Sequence, residues 1–221
     1  MTIAAQEAPE LAGSITHLRI HNWRRPMRRS ISILILGLLH GSLPAGAQQT
    51  GSADQIEGAL LAAPESLQEG AAVLGIGGTP RSDDVLTVLR EGTNELICLA
   101  DDPVRDDFHV ACYHTSLDPF MRLGRLLRAD GLDRAEVLAA RYAALEAGEI
   151  SMPEAATLYS LTADSRPAPG GESETEGLRR LTAVYLPNAT LEETGLPGRP
   201  AGGLPWLMLP GTPWAHIMIS H

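Results

Sequence analysis

Downstream of residue 47 the chain holds two cysteines, Cys98 and Cys112, and four histidines, His109, His114, His216 and His221. These side chains are the best suited to redox, metal-binding or proton-transfer chemistry. His216 and Met218, meeting His109 or His114 with Met208 nearby, would form a soft nitrogen and sulfur donor set suited to copper. A histidine beside a loop carboxylate would instead serve as the general base of a hydrolase. Both readings need tertiary contact. Within regular strands His109 shares a face with Tyr113, Cys112 with His114, and His216 with Met218 opposite His221, so no two histidines converge through local geometry.

Other constellations have plainer explanations. The chain has no Gly-x-Ser-x-Gly elbow, no Ser-x-x-Lys (lysine is absent altogether) and no His-Glu-x-x-His. Gly75-Ile76-Gly77-Gly78 lacks a third properly spaced glycine for a phosphate cradle and reads as a turn needing positive φ. Arg122, Arg125 and Arg128 recur every three residues, a strip able to dock carboxylate or phosphate, with Asp118, Asp130 and Asp133 placed to neutralise it. Asp101, Asp102, Asp106 and Asp107 could offer oxygens to Ca²⁺, although their spacing matches no EF-hand loop. Trp206 and Trp214 flank Pro210-Gly211-Thr212-Pro213 and would form either an aromatic rim or part of the core, the default. Asn188-Ala189-Thr190 is a glycosylation sequon, taken as coincidental.

The cysteines read as a staple. If residues 95–101 and 108–114 are antiparallel strands, the register that pairs Asp101 with His109 sets Cys98 opposite Cys112. Closing a loop of about 15 residues is worth roughly 3 kcal/mol. A redox-active pair is usually closer in sequence and sits at a helix start, so redox catalysis is not favoured.

The elements that must position these groups follow from periodicity and punctuation. Residues 54–63 form a short amphipathic helix capped by Ser52 or Asp54 and stopped by Pro64. Residues 71–76 and 84–91 are strands, the second joined by a hairpin at Gly92-Thr93-Asn94 to the cysteine strand. Asp118-Pro119 opens a helix to about Ala129, with Asp118 as N-cap; Asp133 caps a second, striped by Ala135, Leu138, Tyr142 and Leu145, ending at Gly148. Residues 156–163, 180–186, 205–209 and 214–220 return to strands. Two stretches, 164–177 and 187–203, are long surface loops rich in Pro, Gly and acids. Strands on both sides of one helical block predict an α+β fold, a mainly antiparallel sheet with a helical hairpin packed on it.

Residues 27–47 carry an address. Arg28 and Arg29 precede the apolar run 31–39, and Pro44-Ala45-Gly46-Ala47 supplies a small-x-small cleavage pattern, as in a secretory signal peptide. The run is too short to cross a bilayer core of roughly 30 Å. Translation starting at Met27 fits this signal better than Met1, and the arginine pairs raise a twin-arginine export route as the minor reading. The expected organisation is thus an extension and leader over 1–47 and one domain over 48–221, secreted or periplasmic, with no stable membrane anchor. Removing the leader takes away five arginines and two glutamates, shifting the net charge from −10 to −13 over 174 residues. Such acidity, with scattered arginines, disfavours nucleic acid and anionic lipid as partners. Arginine without lysine, with abundant Ala, Gly and Pro, suggests a high-GC bacterial genome.

The segment Val88-Leu89-Arg90-Glu91-Gly92-Thr93-Asn94, followed by Cys98, a short acidic gap, Cys112 and a closing Ala215-His216-Ile217-Met218-Ile219, resembles a family of exported bacterial proteins of unassigned activity. The likeness spans about half of the exported part. It departs at Glu95-Leu96-Ile97, where a Trp is expected. The resemblance implies export and fold, without chemistry. The leading expectation is a non-enzymatic exported domain that binds a small molecule or protein without a cofactor. The first alternative is a hydrolase using His109, His114 or His216 with loop acids. The second is a copper-binding protein using His109, His114, His216 and Met218.

Overall fold

Strand Phe108–His114 (β5) shows how the sheet is built: alternate residues enter opposite cores, Phe108, Val110 and Cys112 on one face and Tyr113 on the other. The structure, a computed structural model, describes residues 46–103, 105–165 and 177–221. The expected leader therefore lies outside the described residues, apart from its last two, and so does most of the loop 164–177. The remaining strands are β1 (Ala72–Gly75), β2 (Thr79–Pro80), β3 (Thr87–Arg90), β4 (Leu96–Leu99), β6 (Ala156–Ala163), β7 (Arg179–Tyr185), β8 (Trp206–Met208) and β9 (His216–Ser220). They form one sheet ordered β2-β3-β1-β4-β5-β6-β7-β9-β8, antiparallel throughout except between β1 and β4. The fold is the expected α+β class. Among the described residues no helix is long and apolar enough to cross a membrane.

Helices cover both faces. Helix α1 (Gly46–Leu60) and the short α2 (Glu65–Gln68) close one core, where Ala59, Ala62 and Ala63 meet Val73, Leu96, Val110 and Leu161. Small residues there let the helix lie close to the sheet. Helix α1 starts well before the expected caps, leaving Ser52 and Asp54 inside it, where polar side chains on the outer side are tolerated. On the other face α3 (Asp118–Ala129) and α4 (Arg134–Glu146) form the expected hairpin, with Leu117 and Phe120 against Tyr113, Tyr185 and Trp214. Helix α4 opens with a capping box: Asp133 accepts from the Ala135 and Glu136 amides, and Glu136 accepts from Asp133 N–H.

The expected hairpin between residues 84–91 and the cysteine strand does not form, because β1 lies between β3 and β4. Val73 and Leu74 are buried on opposite faces of β1, so that strand needs neighbours on both edges, whereas half-buried β3 suits a place nearer the margin. The Gly92-Thr93-Asn94 turn spans the intruding strand. Thr93 and Asn94 amides donate to Gly70 O at 2.7 and 3.0 Å, and Asn94 Nδ2 donates to Leu67 O at 2.8 Å. A Cβ on Gly92 would lie 2.6 Å from Ala72 N, so only glycine fits this crossing. The Gly-x-Asn motif is thus a clamp for β1.

The loop 187–203 also has more structure than expected. It contains α5 (Leu191–Thr194), capped reciprocally by Thr190 and Glu193 and ended by Gly195 at φ 65°.

Candidate functional site

Cys98 and Cys112 face each other in the β4–β5 register, Cα atoms 4.0 Å apart, and are disulfide-bonded. Both are fully buried beneath α1, which suits a staple. The histidines are dispersed. His109 Nε2 meets Ser160 Oγ at 3.3 Å, and its pKa is lowered by burial and then by Arg105. His114, at the other end of β5 and on the opposite face, accepts through Nδ1 from the Ser116 amide and caps the 3₁₀ turn Thr115–Leu117. His221 Nε2 meets Thr182 Oγ1 at 2.8 Å. His216 and Met218 share a face with His109, but β6 and β7 stand between, three strand spacings or roughly 14 Å across the sheet. Two histidines beside a carboxylate, an arrangement that would favour the hydrolase alternative, do not occur among the described residues. A cleft of about 360 Å³ holds one histidine and one acid, His114 and Glu95, and Glu95 already accepts from Thr115. The loop acids are engaged too: Asp107 pairs with Arg105 at 2.8 Å and Asp101 accepts from the His109 amide.

Two arginines of the α3 strip are neutralised, chiefly by acids other than those the sequence suggests. Arg125 pairs with Asp84 at 2.5 Å and with Asp118 at 3.3 Å, and donates to Tyr113 Oη at 2.8 Å. Arg122 pairs with Asp83, and Arg81 reaches Asp118 at 3.0 Å. Asp118 is therefore no helix cap; Tyr113, Arg81 and Arg125 all converge on its carboxylate. Burial works against ionising Asp84 and Asp118, yet the hydrogen bonds from Arg125 and from Tyr113 and Arg81 hold both carboxyls below their usual range. Burial pushes the Tyr113 phenol up. This satisfied network ties the 81–86 loop to α3.

Arg141 contrasts with it. It sits mid-helix in α4 on the face formed by Val137 and Ala144, and is only 7 % exposed. Its guanidinium lies 4.0 Å from the Phe120 ring centroid, and Nη2 makes a long contact of 3.4 Å to Met121 O. Nε has no hydrogen-bond partner, and no carboxylate pairs with Arg141 among the described residues. Gly124 provides the room, since a Cβ there would fall 1.9 Å from Nη2. Burial first, and Arg128 second, pull the guanidinium pKa down to about 10.

Arg141 forms part of the lining of a cleft of about 580 Å³ between the helical hairpin and strands β7, β9 and β8. Leu132, Leu138, Met208 and Trp214 give it an apolar wall; Arg128 and Arg134 stand at its edge, and no acid among the described residues lines it. Trp214 is buried against Phe120 and Tyr142, ring centroids 6.0 and 5.9 Å away, so it is core and not rim. Tyr185 and His216 stack at 4.8 Å. His216 Nδ1 lies 2.7 Å from Trp214 O, and a carbonyl only accepts, so the proton is on Nδ1 and Nε2 of the neutral ring is an acceptor. Burial lowers the His216 pKa and raises that of Tyr185.

Of the residues singled out in the sequence, His216, Arg128, Met208 and Trp214 meet in this cleft. Arg141 and Tyr185 went unrecognised. The available signal was Val137, Arg141 and Ala144 at i, i+4, i+7 in α4, opposite Phe120 and Gly124 at i, i+4 in α3. These features define an α+β domain with a disulfide in one core and a cationic, aromatic-walled cleft on the opposite face. Comparison with known protein families, curated proteins and solved structures gives no match for this chain.

Proposed function

We propose that this chain is an exported, disulfide-stapled binding domain that captures a small molecule in the cleft between the α3–α4 hairpin and β7–β9–β8. The observation that carries this reading is the cleft itself: its volume, about 580 Å³, and its apolar and aromatic wall with a few convergent polar groups are those of a small-molecule site. His216 and Tyr185 line it and would orient a ligand. The disulfide and the leader-like 27–47 segment support export.

A fragment set of mixed charge, screened by protein-observed NMR on the intact oxidised chain, tests the proposal. Shifts clustering on Tyr185, His216 and Trp214 are expected. Binding confined to other surfaces, or none at millimolar concentration, would remove the cleft as the site.

A further inference from the structure

Resting on that reading of the cleft, we infer that its ligand is a small organic monocarboxylate with an apolar body, held by a charge-assisted fork to Arg141. The inference starts from an imbalance. The chain has 27 acids against 17 arginines, and Arg125, Arg122 and Arg81 each have a carboxylate partner, while the most buried arginine has none among the described residues. A buried charged donor left unpaired is costly, so a ligand carboxylate that completed it would gain a strong charge-assisted hydrogen bond. Arg141 lines the cleft without a carboxylate partner among the described residues, and a planar guanidinium offers paired N–H groups that a carboxylate meets bidentately.

The surroundings choose among anions. One buried guanidinium offers one fork, which suits a single negative charge. A phosphate dianion would need several further donors at the same depth, and beside Arg141 the wall is mainly apolar, formed by Phe120, Val137, Leu138 and Trp214, with Tyr185 adding one neutral hydroxyl. That wall fits an apolar body. Arg128 and Arg134 at the edge add a positive field that draws anions in, on a chain whose overall charge repels them. His216 Nε2 accepts a hydrogen bond, so a carboxylic ligand carrying a hydroxyl or amide N–H near its carboxylate would be favoured further.

The test compares 3-phenylpropanoate, its neutral amide 3-phenylpropanamide, and inorganic phosphate on the intact oxidised chain, by NMR titration to 20 mM. The carboxylate should bind at least about tenfold more tightly than the amide, with shifts at Tyr185 and His216, as expected for hydrogen bonds to a charged group. Arg141→Lys should reduce that preference severalfold by losing the fork, and Arg141→Met should erase it. Equal binding of acid and amide at the cleft would leave the binding site standing and overturn the anion assignment. Tighter binding of phosphate would overturn the carboxylate class. No shift at the cleft with any of the three would overturn the inference outright, and the mixed-charge screen then decides separately whether the cleft binds anything. The comparison of acid with amide uses the unaltered chain, so it holds even if a variant folds poorly.

Discussion

Arg141→Met should make the protein more stable. Burial pulls the Arg141 pKa from arginine's ordinary value above 12 to about 10, so keeping the side chain charged at neutral pH costs about 3 kcal/mol. Stacking over Phe120 at 4.0 Å returns about 0.5–2 kcal/mol. Methionine is of similar length, has no unpaired donor and can pack against the same ring. The balance is a gain of about 1–2.5 kcal/mol, which in a domain of this size raises Tm by roughly 2–10 °C. Below pH 10 the folded and unfolded states both carry the proton, so the gain should be the same at pH 6 and pH 8. From about pH 10 upward the folded state loses its proton first, the parent protein gains stability, and the advantage of methionine shrinks. Thermal and urea unfolding followed by circular dichroism, parent beside variant, measure this directly. A loss of more than about 1 kcal/mol in Arg141→Met would refute the reasoning, since Arg141 would then be a strut for the hairpin.

Three other outcomes follow from the geometry. Replacing both Cys98 and Cys112 by alanine should cost about 3 kcal/mol in urea unfolding, the loop-closure contribution of a 14-residue separation. Because Asp84 and Asp118 ionise below their usual range, their contribution is complete above about pH 4 and is lost as pH falls through their folded pKa values. Acid unfolding should therefore begin below pH 4, and Asp84→Asn, which removes one of the two carboxylates paired with Arg125, should cost about 1.5–3 kcal/mol at pH 7. Gly92→Ala should lower stability by about 1–3 kcal/mol, because the new methyl meets the β1 backbone; calorimetry gives the value.

How much of this was legible in the sequence varied with the range of the interaction. Strands β5 and β6 and helix α3 could be read with their boundaries, because period-two alternation and the Asp118-Pro119 start are local signals. The disulfide followed from register between adjacent strands. The β3–β4 hairpin was misread because a turn signal says that the chain reverses and not what passes between its arms. Asp118 looked like a cap because nothing local shows Arg81 and Arg125 arriving from elsewhere. Arg141 was invisible for a related reason: hydrophobic periodicity discounts charges, so the stripe was drawn through Tyr142, which is 46 % exposed, one residue from the buried face.

The insertion of β1 between β3 and β4 constrains the order of assembly. Antiparallel segments joined by a short turn zip together within microseconds, and β3 and β4 are such segments, yet their direct pairing would occupy the slot that β1 must fill. A premature β3–β4 hairpin is thus a competitor of the native sheet and has to open before folding completes. The Gly70 carbonyl, which receives both Thr93 and Asn94 amides, favours the productive route because it draws the turn over a β1 already in place. Since β1 precedes both flanking strands in the chain, it leaves the ribosome first and can wait for them, which makes vectorial delivery a better match to this topology than refolding from the whole denatured chain.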